Sequence, residues 1–130
     1  MPDNPATSTA NCICGSAPTL IFACSGAADV GQVADQAARQ LRAEGLGQMF
    51  CLAGIGGRVP GMLASTEAAG AIVVIDGCSL GCGKRTLENA GFARFHHVEL
   101  SQLGMERGKT PCTEAAVAAV VAAARVSLVS

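Results

Sequence analysis

Cys24, Cys51 and Cys78 each close a short apolar run, and each is followed closely by glycine: Leu20-Ile21-Phe22-Ala23-Cys24, Met49-Phe50-Cys51 and Ala71-Ile72-Val73-Val74-Ile75-Asp76-Gly77-Cys78. A further thiol, Cys82, follows Cys78 at Cys-x-x-x-Cys spacing, within the range of structural zinc sites. Thiolates are both nucleophiles and soft metal ligands. Four of them suit a tetrahedral zinc, whose sulfurs lie about 2.3 Å from the ion and less than about 4 Å from one another. They equally suit an iron–sulfur cluster. A closed zinc centre has no open position for water and is structural or regulatory rather than hydrolytic. The competing chemistry is sulfur transfer or redox exchange, with Cys24 accepting a sulfane sulfur or pairing with a neighbouring thiol. Any one of these cysteines taken alone is equally at home as a small core hydrophobe. The recurrence at strand ends is what points to a site.

That site requires the three runs to be neighbouring parallel strands, because open α/β sheets place their ligands beyond the carboxyl ends of the strands. The intervening sequence agrees. Val30, Val33, Ala34, Ala37, Ala38 and Leu41 recur at helical spacing, with Asp29 placed to cap the start and Gly45 to end the helix. Gln48 to Ala53 reads as the second strand. Gly54-Ile55-Gly56-Gly57 lacks the spacing of a dinucleotide fingerprint and reads as a turn bringing backbone near the site. Pro60 opens a short helix ending near Gly70. Gly83 to Ala90 predicts a helix with Gly91 at its end, Phe95 to Leu100 a weaker fourth strand, and Thr110-Pro111 the opening of an alanine-rich helix to about Arg125. Right-handed crossovers then give a single-domain α/β fold, a Rossmann- or flavodoxin-like three-layer sandwich with a four-stranded parallel sheet in the order 2-1-3-4. Adjacent strand ends about 4.8 Å apart let Cys24, Cys51 and Cys78 approach one another, with Cys82 at the start of the next helix folding over the top.

The other chemistry-bearing residues are weaker signals. Cys24-Ser25-Gly26 before a helix is similar to the nucleophile loop of small phosphatases, but the arginine such a loop needs six residues on is replaced by Val30, which argues against that activity. Backbone N–H groups of the Ser25 to Ala28 turn are expected to face the Cys24 sulfur and stabilise negative charge on it. Asp76 can orient its loop through backbone N–H bonds or support a metal ligand. His96 and His97 are consecutive on a strand and point to opposite faces, so at most one serves the site. Lys84 and Arg85 follow Cys82 and can offset the charge of a four-thiolate centre.

Composition bounds the partners. Half of the 130 residues are apolar, Trp and Tyr are absent, and nine basic against ten acidic residues give a formal charge of −1. No electrostatic footprint for nucleic acid or an anionic membrane follows. The segment before Pro18 is polar, contains Pro2 and Pro5, and lacks the basic start and apolar core of a secretory signal. A cytoplasmic location is the expectation. The seven cysteines then point to metal or redox chemistry rather than a disulfide framework. Residues 1–17, with Cys12 and Cys14, read as a flexible tail, and residues 18–130 as the domain. The alanine-rich final helix can pair two copies of the chain. A metal ion and a metal- or sulfur-donor protein are the other expected partners.

Taken together, Ile21-Phe22-Ala23-Cys24-Ser25-Gly26-Ala27-Ala28-Asp29-Val30-Gly31, Cys51-Leu52-Ala53-Gly54-Ile55-Gly56-Gly57, and Asp76-Gly77-Cys78 with Cys82 resemble the DGC-domain family of bacteria and archaea, named for its Asp-Gly-Cys motif. The resemblance runs from about Pro18 to Thr113. It implies zinc binding by four cysteines matching Cys24, Cys51, Cys78 and Cys82, and supplies no biochemical role. Cys12, Cys14 and Cys112 fall outside that pattern.

Overall fold

The computed structural model describes residues 17–129. Cys12, Cys14 and nearly all of the expected tail lie outside them. Strand β1 (Thr19–Ala23) leads into helix α1 (Asp29–Ala43), strand β2 (Gln48–Met49) into α2 (Leu52–Gly56) and α3 (Pro60–Glu67), and strand β3 (Ala71–Asp76) into α4 (Cys82–Asn89). Strand β4 (His96–Glu99), a 3-10 turn over Leu100–Leu103 and helix α5 (Glu114–Val129) complete the fold. All strand pairs are parallel and their order is β2-β1-β3-β4. The expected fold class and strand order are both found.

The alternation of side chains along the strands builds two cores. Ile21, Ala23, Val73, Ile75 and Val98 face α1 and α5, where Val33, Ala37, Leu41, Val120 and Ala124 cover them. Leu20, Phe22, Ile72 and Val74 face the other way, onto Ile55 and Leu87 of α2 and α4. β1 and β3 are therefore buried on both sides, as continuous apolar runs require. Small residues on α1 let it lie close to the sheet: Ala34, Ala37 and Ala38 are fully buried.

Several boundaries differ from the sequence reading. β2 pairs with β1 only through Leu20 with Gln48 and Ile21 with Met49, and the ladder ends at the Phe50 N–H to Ile21 carbonyl bond of 2.8 Å. Cys51 then caps α2, so Gly54 to Gly56 are helical rather than a turn. The glycine at 54 has a packing cause, since a Cβ there would run into the Met62 side chain of α3. α5 begins at Glu114 rather than at Pro111, because Thr113 is the residue whose Oγ1 accepts the Ala116 N–H, at 3.1 Å. It runs past Arg125 to Val129. Asp29 lies inside α1, after its N-cap Ala28, and its carboxylate accepts the Gly108 and Thr110 N–H groups at 2.8 and 3.0 Å as well as the Val30 N–H. The helix start thereby ties down a loop distant in sequence. Among the described residues no helix is long and apolar enough to cross a membrane.

Candidate functional site

The parallel sheet brings every one of the four motif cysteines to its carboxyl edge. Cys24 directly follows β1, and its N–H still completes the ladder by donating to the Ile75 carbonyl at 3.0 Å. Cys51 is the N-cap of α2, Cys78 stands in the turn after β3, and Cys82 is the first residue of α4. Cys51 and Cys82 are exposed, whereas Cys24 and Cys78 are half-buried against the core under α1.

Cys24 is set apart by its sulfur's partner. The Gly77 N–H, from the turn beyond the neighbouring strand, donates to Cys24 Sγ at 3.4 Å. The expected donors were the amides of the Ser25 to Ala28 turn; the donor instead crosses from β3, because β1 and β3 are in register up to Ala23 and Ile75. Gly77 must be glycine for that approach, since a Cβ there would lie 2.8 Å from the Val30 carbonyl carbon and 2.9 Å from its oxygen. On the other side of Cys24 the chain turns through Ser25 with φ of 50°, a left-handed conformation that costs a non-glycine residue energy. Ser25 Oγ donates to Asp35 at 2.8 Å, and Asp35 also receives Arg39 Nε at 2.7 Å. Burial pushes the Asp35 carboxyl up, but the bonds from Arg39 and Ser25 outweigh it and leave the group below its usual range. The turn beside the sulfur is thus pinned to α1.

Cys24 and Cys51 line one open cleft of about 690 Å³, whose wall includes Met49 and, from one face of α1, Asp35, Arg39 and Arg42. Cys78 opens instead onto a hollow with Met105 and Arg107.

Asp76 is the most enclosed polar group of this edge, 1% exposed. Its Oδ1 accepts the Gly83 N–H at 2.7 Å and its Oδ2 the Lys84 N–H at 3.0 Å, so it satisfies the start of α4 from outside the helix. His97 Nε2 lies 2.8 Å from Oδ2 and donates to it. Of the two histidines, His97 is therefore the one that serves this edge. Arg85 is occupied elsewhere, with its Nε donating to the Leu80 carbonyl at 2.8 Å.

Four thiolates are chemically the donor set for zinc, but their sulfurs would have to surround one point. Among the described residues, no three His, Cys, Asp or Glu side chains are gathered closely enough to hold a metal ion. The four cysteines share an edge without forming a ready-made centre.

The family model of the DGC domain matches residues 20–124. This chain belongs to the DGC-domain family. Its DGC domain is also similar to the Anaerobic and virulence modulator AnvM of Pseudomonas aeruginosa strain PAO1, with 35% identity over 88 residues, 68% of this chain and 67% of the relative. No solved structure matches it. The Asp-Gly-Cys motif acquires a physical meaning from the geometry: Asp76 holds α4, Gly77 reaches the Cys24 sulfur, and the Cys78 carbonyl accepts the Gly81 N–H at 3.2 Å in the turn that leads to Cys82. The sequence reading named the Ser25 turn but missed Gly77 as donor, the bond from the Ser25 hydroxyl to Asp35, and Arg39 and Arg42 on the same wall. Only the Asp35–Arg39 spacing of four carried a legible signal, that of an ion pair on one helix face.

Proposed function

We propose that this DGC domain is a regulatory protein that works by thiol chemistry, with Cys24 as the attacking sulfur and Cys51 as its partner in the same cleft. The observation that carries this is the Gly77 N–H seated on Cys24 Sγ, with the sulfur still only half-buried at the cleft shared with Cys51. An amide N–H seated on the sulfur fixes where it sits, and its access to the cleft lets it react. The relative named an anaerobic and virulence modulator supports a modulating role over a metabolic one. Oxidation of the reduced protein with diamide tests the pairing. The expected product is an intramolecular Cys24–Cys51 disulfide, mapped by peptide mass, and it is absent in Cys24→Ser. A first disulfide that leaves out Cys24 would refute the assignment.

A second reading rests on the four thiols at one edge: Cys24, Cys51, Cys78 and Cys82 close together around one zinc ion, or around an iron–sulfur cluster, when it is supplied. Metal analysis of anaerobically purified protein separates the two. Stoichiometric zinc lost together in Cys78→Ser and Cys82→Ser supports the metal reading; a metal-free protein supports the thiol reading.

A further inference from the structure

The cleft that exposes Cys24 has a sign. Along α1, positions 35, 39 and 42 line it, one carboxylate against two guanidiniums. Asp35 is already engaged, receiving Arg39 at 2.7 Å and Ser25 at 2.8 Å. Arg42, in the last turn of α1, has no ion-pair or hydrogen-bonding side-chain partner among the described residues. A cleft of about 690 Å³ is large enough for a small molecule of peptide size.

We propose that this cleft selects small disulfides that carry carboxylates, with Arg42 reading the anion while Cys24 attacks the sulfur. The inference rests on the thiol reading of Cys24. In the step, the Cys24 thiolate forms a new S–S bond with one sulfur of the incoming disulfide R–S–S–R. The old S–S bond breaks, and R–S⁻ leaves with the electron pair. Cys24 and one half of the disulfide end as a mixed disulfide, the other half as a thiolate, and no further oxidant is needed. A guanidinium presents a forked, permanently charged donor to a carboxylate, so it reads the anion by geometry as well as by charge.

The test compares two probes on the reduced full chain: oxidised glutathione, which is anionic, and cystamine, which is cationic. The rate of mixed-disulfide formation on Cys24 is followed by peptide mass for each. Their ratio cancels any general change in the reactivity of the sulfur. The ratio should fall about tenfold or more in Arg42→Glu at low ionic strength, fall less in Arg42→Gln, and shrink in the native chain at about 1 M salt, where the screening length is only about 3 Å. An unchanged ratio in Arg42→Glu, with Cys24 still forming mixed disulfides, would overturn the selection while leaving the thiol reading in place. Absence of any mixed disulfide on Cys24 with either probe would overturn the thiol reading and the selection together.

Discussion

At the scale of single residues, the site is a set of polar groups satisfied across elements rather than within them. Asp76 shows the energetic consequence. Its removal leaves the Gly83 and Lys84 amides and the His97 ring without their acceptor at a buried position. Hydrogen bonds to a charged group are worth more than neutral ones, so Asp76→Ala should lower the unfolding free energy by about 2–3 kcal/mol in a urea titration. Gly77→Ala acts on both stability and reactivity. The added methyl would press on the Val30 backbone, at a cost of about 1–3 kcal/mol, and shift the amide that seats the Cys24 sulfur. Slower alkylation of Cys24 in a still folded Gly77→Ala is the expected result; an unchanged rate would remove Gly77 from the account. The cysteines themselves were legible, because strand ends can be read from apolar runs. Their environment was not: the donor to Cys24 is a backbone group arriving from another strand, and the left-handed Ser25 carries no residue-type signal.

Among the elements, the anchoring of α1 makes a prediction about pH. The Gly108 and Thr110 amides hold the Asp29 carboxyl below its ordinary value of 3.8 against the opposing effect of burial, with the Val30 amide adding a lesser pull. A carboxylate depressed in the folded state contributes stability that is complete above the unfolded value and is lost as pH falls through the lower folded value. Hydrogen-exchange protection at Gly108 and Thr110 should therefore hold down to about pH 4 and fall away below it, while Asp29→Asn should show low protection at every pH. The strand and helix types were readable from hydrophobic period. The end of β2 was not, since the glycines after Cys51 suggest a turn, whereas Gly54 is a helical residue of α2 kept small by the Met62 side chain beside it. The start of α5 was misplaced for a related reason: Thr110 offers its N–H to Asp29, and Thr113 takes the capping role.

For the whole molecule, the parallel sheet does what the sequence pattern requires of it, placing Cys24, Cys51, Cys78 and Cys82 on one edge through strand order alone. Order on an edge is not convergence on a point, and the sequence carries no information on where each sulfur is turned. On the thiol reading, anaerobically purified protein should contain well under one zinc per chain, and a strong chelator should leave its urea midpoint unchanged. A midpoint that drops on chelation would mean that metal binding contributes to folding. The most direct test of the central claim is a time course of iodoacetamide alkylation of the freshly reduced protein at neutral pH, with peptide mapping of Cys24, Cys51, Cys78, Cys82 and Cys112, run with and without chelator. Cys24 is expected to be modified first, at a rate that chelator does not change. If Cys24 lags behind the exposed Cys51 and Cys82, or reacts only once chelator is added, Cys24 is not the attacking thiol.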